Sequence, residues 1–258
     1  LNLSMAEPHV TFENPAQYNE MYAAFTKGPV VPIASGVEGP KKQSLVSRGP
    51  GEYYANITFM DAQLGRLLRW LTEEGLADTT IIIFVSDNGP VTSDWFYWFE
   101  LNAHGSTGGL RGRKHLLYEG GIRVPALIRY PNVTRAGDLS HEIVVGMDLF
   151  VTLTKLAGGE VPNDRPIDGI DISKALKGGA LPDRAIAWAL SAVSEIEFAV
   201  RRGNWKLLSD GDLQPMQLFN LAEDPLEFFN VIEENPSVLK RLDKDLKKSV
   251  SSFSNDPY

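Results

Sequence analysis

An acidic and an amide side chain stand next to each other at the end of an apolar run. Asp87 and Asn88 follow the stretch Ile-Ile-Ile-Phe-Val at 81–85, which predicts a buried strand that ends in a turn. Calcium and magnesium prefer carboxylate and amide oxygens, and open α/β sheets place their sites beyond the carboxyl ends of strands. The pair could therefore supply part of a metal site, although Asp-Asn-Gly is also a common turn sequence.

A cationic segment rich in glycine lies between residues 110 and 123. It carries Lys114, His115 and three arginines against a single acid, Glu119. Glycines allow the backbone to approach a ligand closely, and a fixed positive charge is what an oxyanion requires. The segment indicates an oxyanion pocket, with a solvated basic loop as the alternative.

The chain has four histidines, and the positions of three of them make these three candidates for a functional site. His9 stands in Glu-Pro-His-Val, His104 lies in a long polar and aromatic loop, and His115 follows the lysine of the cationic segment. A single histidine is more often a packing or surface residue, whereas loops of that length are commonly functional or disordered. These three are candidate site residues, and His141 is interpreted as structural.

Hydrophobic periodicity predicts the elements that would hold these residues. Apolar residues at helical spacing predict a helix from Ile57 to Leu71, with Gly75 as its terminator, and this helix feeds a strand at 80–85 as half of a βαβ unit. The first fifty residues, with many prolines and glycines, are expected to be mostly loop. Further predicted elements are strands at 124–130, 185–190, 197–208 with a turn at 203–204, and 216–221, and helices at 147–157, 173–177 and 236–252. This order predicts an α/β fold with a larger part at 1–182 and a small antiparallel part with a terminal helix at 183–258.

The composition narrows the possible classes of protein. The chain has 258 residues, of which 43% are hydrophobic, enough for a sizeable core. Its formal net charge of -8 argues against a nucleic-acid partner, which needs a basic footprint. The absence of cysteine excludes disulfides, Cys-ligated zinc and a Cys nucleophile within these residues. No apolar run approaches the roughly 20 residues of a membrane-spanning helix, so no membrane span is expected.

Four segments, in order along the chain, resemble the type I sulfatases of the alkaline-phosphatase-like superfamily. AEPHVTFENP is similar to the family's Pro-His-x-Pro segment, with Thr11 where proline is usual. Residues 53–89 resemble its helix and metal-binding strand, LRGRKHLLYEGGIRVPALIRYP resembles its lysine signature, and residues 198–208 with 217–231 resemble its C-terminal subdomain. The resemblance implies part of an alkaline-phosphatase-like mixed sheet flanked by helices, followed by a small C-terminal antiparallel sheet plus helix.

The resemblance also implies roles for individual residues. Asp87 and Asn88 would be two ligands of one calcium ion. Lys114 would bind the sulfate group and stabilise charge as the ester oxygen leaves, and His9 would hydrogen-bond or protonate the leaving group.

Other residues would take part less directly. The loop around His104 is expected to shape the substrate pocket, so His104 and His115 are predicted to bind substrate together with Lys114 and His9. Glu119 and Arg123 resemble supporting residues.

In this family a hydrated formylglycine, made from Cys or Ser, attacks sulfur. Its motif, Cys/Ser-x-Pro-x-Arg, and the acidic Asp-Asp pair that precedes it are not among the 258 residues. Ser44 begins Ser-Leu-Val-Ser-Arg, which lacks the proline and lies on the wrong side of His9. We therefore expect a C-terminal portion of a sulfatase that is inactive by itself, with the nucleophile and a signal peptide upstream. The expected location of the protein is periplasmic, extracellular or lysosomal.

Two other functions stay open at this point. Lys114 alone cannot separate sulfate from phosphate, so a phosphoric ester hydrolase or phosphotransferase of the same superfamily is an alternative. A non-catalytic fragment or binding module is another. The expected partner is a sulfated small molecule or glycan, and the aromatic stretch 95–99 could stack on a sugar face or form local core.

Overall fold

A computed structural model describes residues 2–3, 5, 8, 14–25, 50–91, 104–190 and 194–254. Within these ranges the chain forms five α-helices and six β-strands, and the strands make two sheets. His9, Ser44 and the aromatic stretch 95–99 lie outside the described residues, so what the sequence predicts for them stays a prediction.

Two helices pack together before the first strand. Helix α2 (Pro50–Glu73) begins seven residues before its predicted start and ends close to its predicted end, where Gly75 adopts the left-handed φ of 68° expected of a helix terminator. Helix α1 (Ala16–Met21) was not predicted. It is only six residues long and rests against α2 through tertiary contacts, including a 2.7 Å hydrogen bond between the hydroxyls of Tyr22 and Thr58.

The first sheet pairs strand β1 (Ile82–Val85) with strand β2 (Ala126–Arg129). Both strands lie inside their predicted ranges. They run antiparallel, with Ile82 opposite Arg129, so the described residues do not show the parallel pairing of a βαβ unit. A short helix, α3 (Glu119–Ile122), precedes β2 and was not predicted from the sequence.

The second sheet is an antiparallel meander in the order β3-β4-β5-β6. The sheet consists of β3 (Ala185–Ala189), β4 (Phe198–Arg202), β5 (Trp205–Ser209) and β6 (Pro215–Asn220). In the chain it is preceded by helix α4 (Gly146–Leu156) and a 3-10 turn at Ala175–Lys177, and it is followed by helix α5 (Pro236–Ser254). The turn predicted at Gly203 is present between β4 and β5, with φ of 56°. None of the helices in the described ranges is long and apolar enough to cross a membrane.

Both faces of the second sheet are covered. Helix α5 covers one face, where the buried side chains are those of Val200, Leu207, Leu218, Leu242 and Leu246. The cationic segment covers the other face, where the cluster includes Leu117, Tyr118, Ala199, Leu208 and Phe219. The segment predicted to hold an oxyanion therefore shares a core with the C-terminal sheet, and the division at residue 182 stays a prediction.

Candidate functional site

Strand β1 delivers the acid–amide pair at its carboxyl end. Asp87 is exposed and Asn88 is half-buried. The amide nitrogen of Asn88 donates to the carbonyl oxygen of Gly89 at 2.9 Å, which leaves Oδ1 as the acceptor of that side chain. In the described part of the chain neither the Asp87 carboxylate nor this Oδ1 has a hydrogen-bond or ion-pair partner. Two oxygen donors are thus presented side by side.

The turn after β1 is bonded to the cationic segment through the backbone. The Gly89 N–H donates to the carbonyl oxygen of Gly121, and the Lys114 N–H donates to that of Pro90, both at 2.9 Å. A Cβ at Gly89 would overlap the carbonyl oxygen of Gly120, so only glycine permits this approach. The two segments that the sequence singles out for metal and oxyanion chemistry therefore meet in the fold.

Two arginines of the cationic segment are bonded to backbone carbonyls. Arg113 donates to the carbonyl oxygens of Val91 at 3.1 Å and Gly105 at 2.9 Å. Arg111 donates to the carbonyl oxygen of Glu227 at 2.7 Å. These charges hold loops together, which a solvated basic loop would not do.

Lys114 differs from these arginines. Its side chain is half-buried, and among the described residues its ammonium group has no carboxylate or carbonyl partner. An ammonium group in this position can bind an anion without first breaking an internal ion pair. Lys114 is therefore the cation of this segment that the geometry leaves for a ligand.

His115 and His104 lie in the same region. His115 has a left-handed φ of 73°, and its pKa is lowered, first by burial and then by the positive charge of Lys114. The His104 ring lies 6.4 Å from the Tyr53 ring of α2, measured between centroids. Burial lowers the pKa of His104, and within the described ranges its Nε2 is buried without a hydrogen-bond partner. Both shifts favour the neutral form of the imidazole.

A buried ion cluster lies behind this region. Glu119, only 1% exposed, accepts from Lys206 Nζ at 3.0 Å through Oε1 and from Arg201 Nη1 at 3.1 Å through Oε2. Lys206 Nζ also lies 2.9 Å from Oε1 of Glu227. Arg123 is more distant, with its guanidinium 3.9 Å from Glu119 and its side chain 58% exposed.

The family resemblance implies a supporting role for Glu119, but its three partners in this cluster were not predicted. The available signal was Lys206, a lysine inside the apolar strand β5. A lysine is almost never fully buried unless it is paired, so its position in a central strand indicates an internal carboxylate.

The acid–amide pair fits part of a site for a hard cation. Its two adjacent donors are oxygens, whereas calcium takes six or more. Within the described ranges no group of three or more His, Asp or Glu side chains could hold a metal ion. Asp87 and Asn88 can thus contribute to a calcium site but do not complete one with described residues.

Comparison with known proteins gives two family matches. Residues 1–159 match the family model described as Sulfatase. Residues 112–256 match the model described as N-sulphoglucosamine sulphohydrolase, C-terminal. The overlap at 112–159 contains most of the cationic segment, including Lys114, and all of β2.

Individual proteins are similar over most of the chain. Arylsulfatase A of Homo sapiens is 32% identical over 229 residues, which cover 78% of this chain and 44% of that protein. A solved structure of a putative sulfatase from Bacteroides fragilis has 25% identity and a TM-score of 0.68, and covers 98% of this chain and 54% of that one. A structure in complex with its substrate, D-glucosamine-2-N,6-O-disulfate, has 26% identity and a TM-score of 0.65, with coverages of 94% and 47%.

These likenesses confirm the α/β fold class. They also show how much of each relative this chain covers. The chain spans less than half the length of arylsulfatase A, the relative described above. The matched structures likewise extend well beyond the part that these 258 residues cover.

Proposed function

The chain belongs to the sulfatase family, and from this premise we propose that the protein carrying these residues hydrolyses the sulfate ester of a carbohydrate. One observation carries the proposal: Lys114, whose ammonium group has no carboxylate or carbonyl partner among the described residues, is joined through its own N–H to the turn that presents Asp87 and Asn88. A cation and two oxygen donors in adjacent segments suit a sulfate group bound next to a metal ion. The relative that binds a sulfated glucosamine supports a carbohydrate as the rest of the substrate.

In this proposal each side chain has a defined task. Lys114 Nζ donates to a sulfate oxygen and offsets the negative charge that develops as the ester oxygen departs. Asp87 and Asn88 hold a calcium ion, which would supply further positive charge to the sulfate oxygens. His104 and His115 are neutral hydrogen-bonding groups of the substrate pocket. His9 donates a proton to the leaving alcohol, as the family resemblance implies.

The nucleophile is proposed to be a formylglycine, as the family resemblance implies. No Cys/Ser-x-Pro-x-Arg sequence occurs in the 258 residues, and Ser44 does not fit that motif. We therefore expect the 258-residue chain alone to give no turnover of 4-nitrophenyl sulfate in the presence of calcium. Measurable turnover by this chain would overturn the assignment of the nucleophile.

The test of Lys114 is its replacement by alanine in a protein that contains both these residues and a formylglycine motif. Loss of one charge-stabilising donor should lower kcat/KM for 4-nitrophenyl sulfate and for a sulfated glucosamine by about 100-fold or more. Lys177→Ala is the matched control, because Lys177 is an exposed lysine on the 3-10 turn Ala175–Lys177, outside the cationic segment. Unchanged kcat/KM in Lys114→Ala, or faster hydrolysis of 4-nitrophenyl phosphate than of the sulfate, would contradict the proposal.

Calcium dependence gives an independent test. A chelator should abolish hydrolysis, and added calcium should restore it. Asp87→Asn should raise the calcium concentration needed for half-maximal activity, because one carboxylate charge is lost from the site. The control Asp164→Asn alters an exposed acid and should leave the calcium dependence as it is. Equal calcium dependence of the two variants would remove Asp87 from the metal site.

A further inference from the structure

A lysine is fully buried in the centre of the C-terminal sheet. Lys206 is 0% exposed, and its ammonium group lies 3.0 Å from Glu119 and 2.9 Å from Glu227. Both acids are buried as well, at 1% and 0% exposure. Buried charges persist only when they are paired. Removal of Lys206 would leave the buried Glu227 carboxylate without an ion-pair partner among the described residues.

The strand register explains why the sheet needs the carboxylate of Glu119. Lys206 on β5 stands directly opposite Arg201 on β4. Like charges in opposed positions destabilise a strand pair. Glu119 accepts from both cations, one at each of its carboxylate oxygens. The sheet thus binds an acid that belongs to α3, five positions after Lys114 in the chain.

Glu227 holds the cationic segment at two points. Its Oε2 accepts the Glu119 N–H at 2.6 Å, and its carbonyl oxygen accepts Arg111 Nη1 at 2.7 Å. Glu227 itself adopts a left-handed φ of 59°, which a non-glycine residue keeps only when its surroundings impose it. Lys114 lies between the two held positions.

We propose that Lys206 and Glu227 are positioning residues for Lys114. They act through Glu119 and Arg111, and they fix the segment against the turn that carries Asp87. The role of Lys114 in sulfate binding rests on the proposed function. The coupling of the sheet to the cationic segment through these contacts does not rest on the proposed function. An experiment can therefore refute one of the two proposals without refuting the other.

Amide hydrogen exchange of the 258-residue chain measures this coupling. In Lys206→Met, the amides of Gly89 and Lys114, which join the segment to the turn, should exchange about tenfold or more faster than in the wild type. Amides of α4 should exchange as before. Arg202→Met is the matched control, because it breaks ion pairs with Asp183 and Asp245 around the same sheet. It should lower the melting temperature without accelerating exchange at Gly89 and Lys114.

Glu227→Gln is a milder second variant for the case that Lys206→Met does not fold. It keeps the size of the side chain and an oxygen for the Glu119 N–H, and it should accelerate exchange at the same two amides by a smaller factor. A folded variant of either kind with wild-type exchange at Gly89 and Lys114 would overturn the proposal.

Inorganic sulfate is titrated calorimetrically, in the presence of calcium, into a protein that contains both these residues and a formylglycine motif. This titration separates the proposal from the proposed function. Weaker sulfate binding by Lys206→Met than by Arg202→Met, together with faster exchange, supports positioning of Lys114. Faster exchange with unchanged sulfate affinity would show that the two residues do not position Lys114 for sulfate. If the protein with the wild-type residues does not bind sulfate, the assignment of Lys114 in the proposed function fails, whereas the exchange rates still decide the coupling.

Discussion

At the scale of single residues, Lys114 and His115 place an ammonium group and an imidazole at adjacent positions of the chain. Burial, followed by the charge of Lys114, lowers the pKa of His115 below its ordinary value of 6.5. An anion held by Lys114 would add negative charge beside the ring and would favour the imidazolium. The protonation of His115 is therefore a direct readout of what Lys114 binds.

The titration of His115 can be followed by NMR of its ring protons. We expect a pKa below 6.5, a higher value in Lys114→Met, and an increase on addition of inorganic sulfate in the wild type but not in that variant. Because the folded state disfavours the charged ring, stability should fall as the pH drops below 6.5, where the unfolded chain takes up the proton first. Insensitivity of His115 to both Lys114→Met and sulfate would show that no anion binds beside it.

At the scale of elements, helix α4 is fixed by one buried acid. Asp148 is fully buried and accepts from Arg184 Nη1 at 2.7 Å and from the Val145 and Ile170 N–H groups at 2.9 Å. Burial raises the pKa of Asp148, but the hydrogen bonds from Arg184, Ile170 and Val145 outweigh it and lower the pKa below 3.8. This acid joins the start of α4 to the chain just before β3.

Replacement of Arg184 by leucine should destabilise the chain by about 3–5 kcal/mol, since it leaves a buried carboxylate without its partner. Chemical denaturation at pH 7 measures this change. Arg135→Leu is the control, because the Arg135–Asp138 pair is exposed and should contribute little. The advantage of the wild type over Asp148→Asn should be complete above pH 3.8 and disappear as the pH falls through the lowered pKa of Asp148. An equal loss in Arg184→Leu and Arg135→Leu would contradict this account.

Elements with a clear period could be predicted, and those held by distant contacts could not. Helices α4 and α5 and all six strands follow from periodicity and turn residues, within a few residues of their ends. Helix α2 was also predicted, but it begins seven residues before its predicted start. Helices α1 and α3, with six and four residues, have too little sequence to show a period and depend on tertiary contacts.

The residues of the candidate site also divide into those that the sequence could predict and those that it could not. Asp87, Asn88 and Lys114 could be named from local motifs. Lys206 and Glu227 could not be linked to Glu119, because 87 and 108 residues separate them from it. The sequence also does not tell which cations of the segment have internal partners, since Arg111 donates to a carbonyl oxygen 116 residues away in the chain.

At the scale of the whole molecule, the two sheets differ in how they are covered. The C-terminal sheet is buried on one face by α5 and on the other by the cationic segment. In the first sheet, Val85 is 45% exposed and Leu127 is 61% exposed. The register puts these two residues in adjacent cross-strand pairs, so one apolar side chain faces outward on each side of the sheet.

We expect the first sheet to make the 258-residue chain self-associate. Strands β1 and β2 pair only with each other among the described residues, and strand edges next to apolar faces are templates for pairing with another copy. Light scattering after size-exclusion chromatography should show association that grows with protein concentration and that Leu127→Lys reduces. Leu139→Lys is the control, because Leu139 is 88% exposed but lies outside the sheet. If both lysine variants reduce association equally, the added charge is the cause. If only Leu127→Lys reduces association, the first sheet governs the solubility of this chain.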